Sequence, residues 1–84
     1  MKITLKLFAS LASYLPPADR RAGKIQVEAP PGSTVADLIA RHGLPPALCT
    51  LVLVNGQFVA QGEQGRQVLG EGDVLAIWPP VGGG

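Results

Sequence analysis

Apolar and polar side chains alternate from the start of the chain. Across residues 2–8, Lys-Ile-Thr-Leu-Lys-Leu-Phe, Ile3, Leu5 and Leu7 share one side, and Lys2, Thr4, Lys6 and Phe8 share the other. That period of two predicts a half-buried strand. Phe8 falls on the polar side, where an aromatic is unexpected. Residues 9–17 read as a short helical turn stopped by Pro16-Pro17, because proline brings no N–H to the helix ladder. After a loop, Ile25 and Val27 mark a second strand, inward-facing at those two positions and closed by Pro30-Pro31-Gly32. From residue 33 the period changes. Val35, Leu38, Ile39 and His42 stand at i, i+3, i+4 and i+7, one continuous helical face. Ser33 or Thr34 can cap the helix start, and Asp37 lies three residues after Thr34, as in a capping box. Gly43 supplies a left-handed stop and Pro45-Pro46 prevents resumption, so the spacing predicts a helix over 33–43.

The second half returns to period two. Residues 50–59 give a strand, an Asn55-Gly56 turn of hairpin type and a second short strand. Residues 62–73 are a glycine-rich meander with a small apolar centre at Val68 and Leu69. Residues 73–80 give the last strand, with Leu75 and Ile77 inward and Ala76 and Trp78 outward. One helix laid across a sheet buries both apolar faces in two layers. Periodicity therefore predicts a small α+β domain.

Composition narrows the function. The chain has 84 residues, enough for one modest core, and 46% are hydrophobic. The formal net charge is +1 and Arg20-Arg21 is the only adjacent basic pair, so neither nucleic acid nor an anionic membrane is an expected partner. The lone cysteine, Cys49, rules out an internal disulfide and suits a reducing compartment. The N-terminal stretch alternates where a signal peptide would be continuously apolar. A soluble, cytoplasmic protein is expected. One histidine, one cysteine and no acidic cluster make a poor metal site. Cys49 has no basic neighbour in sequence to lower its pKa and reads as structural, as does His42. Residues 65–71, Gly-Arg-Gln-Val-Leu-Gly-Glu, approach a phosphate-binding loop, but Glu71 stands where lysine is required and no helix follows.

The end of the sequence is the most informative stretch. Trp78 is followed by Pro79, Pro80, Val81, Gly82, Gly83 and Gly84. Stacked prolines are stiff and extended, and glycine has no side chain and the greatest backbone freedom. A stalk with a bare tip suits insertion into a narrow channel.

Five pieces together carry a family resemblance: Leu7-Phe8-Ala9, Thr34 to Ile39 (Thr-Val-Ala-Asp-Leu-Ile), Val54-Asn55-Gly56, Glu71-Gly72-Asp73, and the ending from Ala76 to Gly84. The chain resembles, over essentially its whole length, the ubiquitin-like sulfur carriers. That group includes the small subunit of molybdopterin synthase and the thiamine-pathway sulfur carrier. Trp78 departs from the phenylalanine common at that position, and Gly82 from alanine or threonine. The resemblance implies a β-grasp fold, the ubiquitin-like roll, with residues 1–80 as the domain and 81–84 as a flexible glycine tail. It implies that an E1-like enzyme uses ATP to adenylate the Gly84 carboxylate. A sulfur donor protein then displaces AMP to leave a thiocarboxylate, and a synthase large subunit accepts the sulfur, most naturally for molybdopterin. Gly84, with Gly83 behind it, is the reacting end. The chain is then a substrate and not an enzyme, and binds no cofactor itself. The partner-binding surface implied is Phe8 and Trp78 at the root of the tail, extended by Phe58 or Val59 and continued along Pro79, Pro80, Val81 and Gly82. Two other functions fit the same ending: a protein modifier joined to target lysines, or a non-covalent β-grasp subunit of a molybdenum or tungsten enzyme.

Overall fold

Strand β1 spans Lys2–Leu7, β2 Lys24–Glu28, helix α1 Val35–Arg41, β3 Leu51–Val54, β4 Gln57–Phe58 and β5 Val74–Trp78 in the computed structural model, which describes residues 1–80. The strands form one five-stranded sheet in the order β2-β1-β5-β3-β4. β1 and β5 run parallel, with Leu5 opposite Leu75 and Leu7 opposite Ile77. The other pairings are antiparallel. The last strand of the chain is thus the central strand of the sheet, and α1 packs across one face. This is the β-grasp arrangement.

Parity explains the core. Ile3, Leu5 and Leu7 of β1, Val52 and Val54 of β3, and Leu75 and Ile77 of β5 all point to the helix side and are buried there with Val35, Leu38 and Ile39. Ala9–Tyr14, a 3₁₀ turn, contributes the fully buried Leu11. Cys49 is buried in the same cluster. Ile25 and Val27 are only half-buried, because β2 is an edge strand.

The helix is shorter than the spacing predicts. Thr34 is the N-cap: its Oγ1 accepts the Asp37 N–H at 3.2 Å, and Asp37 Oδ2 accepts the Thr34 N–H at 2.9 Å. The reciprocal pair satisfies two of the orphan donors at the helix start. Ser33 is buried outside the helix, donating its hydroxyl to the Pro30 carbonyl at 2.7 Å. His42 is the C-cap rather than a member of the helical face, and Gly43 adopts φ 66°. The meander also differs from expectation. Leu69 is buried and Val68 is exposed, because neighbours in extended chain point to opposite sides. Ala76 faces outward as parity requires, yet is only 8% exposed. It lies on the central strand with Lys6 on one side and Leu53 on the other, and larger neighbours cover a methyl group. The expected glycine tail, 81–84, lies outside the described residues. Among the described residues no helix is long and apolar enough to cross a membrane.

Candidate functional site

The tail leaves the fold from a doubly clamped root. On one flank, the Phe8 N–H donates to the Ile77 carbonyl at 3.1 Å. On the other, the N–H and the hydroxyl of Thr50 both donate to the Trp78 carbonyl, each at 3.2 Å. β5 is therefore held by neighbours on both sides through Trp78. The parallel register that pairs Leu7 with Ile77 also brings the next residues together on the open face. The rings of Phe8 and Trp78 stack with centroids 4.0 Å apart and planes 6° apart. Such a pair contributes about 0.5–1.5 kcal/mol beyond its buried area. Both rings remain half-buried. Ala9, directly after Phe8, turns the chain with φ 52°, a conformation that disfavours any side chain.

Apolar surface continues from this stack across the open face. Leu51 lies opposite Trp78 and is 40% exposed. Leu53 lies opposite both Ala76 and Phe58. Phe58 is the most exposed large apolar residue of the described chain, at 63%. Of the two residues expected to extend the surface after the turn, only Phe58 does so. Val59 is buried in the core and donates its N–H to the Val52 carbonyl at 2.9 Å. The strand alternation that turns Phe58 outward turns Val59 inward. Pro79 is half-buried and Pro80 exposed, whereas Val81, Gly82, Gly83 and Gly84 lie outside the described residues. Sequence reasoning missed Leu51, Leu53 and Thr50. Strand parity applied to Leu51–Val54 would have found the two leucines, but the Thr50 clamp depends on which strand pairs with β5.

Two of the short pieces that carry the resemblance meet in space. Asn55 Nδ2 donates to Asp73 Oδ1 at 2.9 Å, and Asn55 Oδ1 accepts the Val74 N–H at 2.9 Å. Asp73 Oδ2 accepts the Gly70 N–H at 2.7 Å. Both carboxylate oxygens of Glu71 accept the Lys2 N–H at 3.2 Å. Asn55 and Gly56 have φ 52° and 82°, the two positive values that a tight two-residue hairpin turn requires. These contacts set the start of β5 against β1 and β3. They position the root of the tail from the far end of its strand.

The remaining chemistry-bearing side chains lie elsewhere. Burial raises the Cys49 pKa, keeping the thiol protonated, and its Sγ donates to the Pro45 carbonyl at 3.4 Å. Burial and then the positive charge of Arg41 lower the His42 pKa, favouring the neutral ring. Among the described residues no group of three or more histidine, cysteine or acidic side chains could hold a metal ion.

The model of the ThiS family matches residues 5–84. Among solved structures, SAMP1 from Haloferax volcanii is 32% identical, covers all of both chains and superposes with a TM-score of 0.69. The small archaeal modifier protein 1 of H. volcanii is 29% identical over 95% of this chain and 98% of its own, with a TM-score of 0.65. A chain from the complex of subunits 1 and 2 of molybdopterin-converting factor from Helicobacter pylori is 18% identical over all of both chains. Its TM-score of 0.60 is a likeness of fold. No curated protein matches the chain by sequence.

Proposed function

The chain belongs to the ThiS family, and from that membership we propose that it is a ubiquitin-like sulfur carrier whose reacting group is the carboxylate of Gly84. The observation that carries the proposal is that the family match runs through the glycines to residue 84. In the proposed sequence, an E1-like enzyme directs the Gly84 carboxylate onto the α-phosphate of ATP and pyrophosphate leaves. The acyl adenylate has the good leaving group that a free carboxylate lacks. Sulfur at the hydrosulfide level, brought by a donor protein, attacks the carbonyl carbon and AMP departs with the bonding pair. In a synthase large subunit the thiocarboxylate sulfur then displaces a leaving group of the acceptor, water cleaves the carbonyl–sulfur bond and the Gly84 carboxylate is restored, with molybdopterin as the product we favour from the family resemblance.

In this proposal the chain contributes reach and docking and supplies no acid, base or nucleophile of its own. The six residues after Trp78 span at most about 20 Å when extended. The clamp on the Trp78 carbonyl fixes where that span begins. The stacked pair Phe8–Trp78, with Leu51 and Phe58 beside it, is the proposed seat of the activating enzyme, since exposed apolar patches mark partner sites.

Incubation with an E1-like enzyme, ATP and hydrosulfide, followed by intact-mass measurement, tests this function. Replacement of one oxygen by sulfur adds about 16 Da to the acyl group. Deleting Gly84 shortens the reach by about 3.5 Å, and misplacing a reacting atom by about 1 Å can cost a hundredfold in rate. The deletion is therefore expected to fold and melt like the parent and to lose thiocarboxylate formation. Conversion of the shortened chain at the parent rate overturns the assignment of Gly84.

A second function, covalent modification of target lysines by the same activated carboxylate, is favoured by the similarity to the small archaeal modifier protein 1. Both routes begin with adenylation. Heavier lysine adducts on other proteins, formed without hydrosulfide, would select the modifier.

A further inference from the structure

The chain carries seven lysines and arginines against six acidic residues, yet its cations are unevenly placed. Lys6, Arg20, Arg21 and Lys24 line one cleft of about 420 Å³ at the end of the β1–β2 pair, and among the described residues no acidic side chain lines it. Lys6 and Lys24 lie directly opposite each other on adjacent strands. Like charges so placed destabilise a sheet, and a local conflict of this kind is expected where a site serves binding. The ion pairs among the described residues join the N-terminal amine to Glu28 and Arg66 to Glu63, and neither involves the four cations of the cleft. Arg20 is held in place by donation from Nε to the Leu15 carbonyl at 3.0 Å, which leaves its two terminal nitrogens for an acceptor. Phe8 also lines the cleft, with one ring face against Trp78. The cleft is therefore continuous with the aromatic stack at the root of the tail.

We propose that this cleft receives a short acidic segment, rich in Asp or Glu, of the protein that docks on the Phe8–Trp78 stack. The choice of that protein as the owner of the segment rests on the carrier function proposed above. The carboxylates would neutralise the Lys6–Lys24 repulsion and pair with the Arg20 and Arg21 guanidinium groups, which bind carboxylates in a forked, two-point geometry. Charge complementarity of this sort raises association rates and rejects wrongly charged partners. A single-stranded nucleic acid fits less well. Binding of that class uses free aromatic faces for base stacking, and here Trp78 occupies a face of the Phe8 ring.

Nuclear magnetic resonance titration of the ¹⁵N-labelled full chain tests the cleft directly, with a soluble glutamate-rich peptide of about eight residues as the probe. Its glutamine counterpart and a single-stranded oligonucleotide are the controls. The expected result is a set of amide shifts centred on Lys6, Gly23 and Lys24 with the glutamate peptide and none with the glutamine peptide. Arg21→Glu is expected to weaken binding by roughly tenfold. Arg66→Glu, outside the cleft, is expected to change it by less than about twofold. Melting curves of both variants, with Lys24→Gln as a milder third, separate lost binding from lost fold. Equal binding of the glutamine peptide, tighter binding of the oligonucleotide to the same amides, or no shifts at millimolar peptide would overturn the proposal. The titration needs no activating enzyme, and the mass assay on Gly84 needs no acidic peptide. Each can fail while the other succeeds.

Discussion

The two faces of the sheet are built from the same strands and have opposite fates. On the side that α1 covers, Leu5, Val52, Leu75 and Ile77 are almost fully buried. On the other side the same strands present Lys6, Leu51, Leu53, Ala76 and Trp78, with the Phe8 ring stacked on Trp78. The covered face satisfies its apolar groups within the molecule, so its side chains determine whether the fold forms. The open face keeps Leu51, Phe58 and the Phe8–Trp78 stack in partial contact with water. Removing those groups from water requires a second molecule, so their free energy is available for association.

The comparison breaks or holds on measurements made twice, once on unfolding and once on docking. The largest effect on stability is expected on the covered face. Leu38 is fully buried between helix and sheet, and Leu38→Ala should cost roughly 2–5 kcal/mol in denaturant unfolding through lost contact and the cavity left behind. Affinity for an E1-like enzyme, per folded molecule, should stay at the parent value. A loss of affinity larger than the loss of stability would show that the covered face shapes the docking surface. The mirror-image change is Trp78→Ala. Docking should weaken by roughly 1–4 kcal/mol, as for an aromatic anchor, and stability should fall by about 1 kcal/mol as the stack is lost. The reverse outcome, a large loss of stability with unchanged docking, would make Trp78 a member of the core.

Smaller changes sharpen the same contrast. Thr34→Ala removes the acceptor for the Asp37 N–H and should cost about 1 kcal/mol of thermal stability with no effect on docking, because it loosens only the helix side. The smallest effect is expected from pH. His42 is held below its ordinary value of 6.5 by burial and then by Arg41, so the unfolded chain takes up the proton first as pH falls. The neutral ring's contribution is complete above pH 6.5 and is lost as pH drops through the lower folded value. Cys49 acts in the opposite direction. Its raised pKa favours the thiol, so its contribution is present below the ordinary value of 9.0 and lost as pH rises through the folded value. Unfolding curves of His42→Gln should show a shallower decline on the acid side than the parent. An identical decline would place the acid sensitivity in other groups.

Much of the fold and part of the site are legible in the order of residues. Alternation at residues 2–8 and 73–80 specifies which side chains of β1 and β5 turn inward, because a strand's side chains reverse face at every step. The spacing of Val35, Leu38 and Ile39, with the Thr34–Asp37 capping pair at the start, specifies a capped helix, because both features are local. The same parity puts Phe8 and Trp78 on the open face, and the ending from Ala76 to Gly84 carries the strongest of the five pieces of the family resemblance. Other features depend on which strands become neighbours. Ala76 is buried on the open face because β5 is central and larger residues flank it. Val59 enters the core although Phe58 beside it does not, a choice set by the Leu53–Phe58 pairing. The double hydrogen bond from Thr50 to the Trp78 carbonyl, the meeting of Asn55 with Asp73 and the facing of Lys6 with Lys24 join residues 28, 18 and 18 positions apart. Periodicity reports the environment of a residue along its own strand. Contact across strands is decided by register, and register is fixed only when the whole apolar face is buried at once.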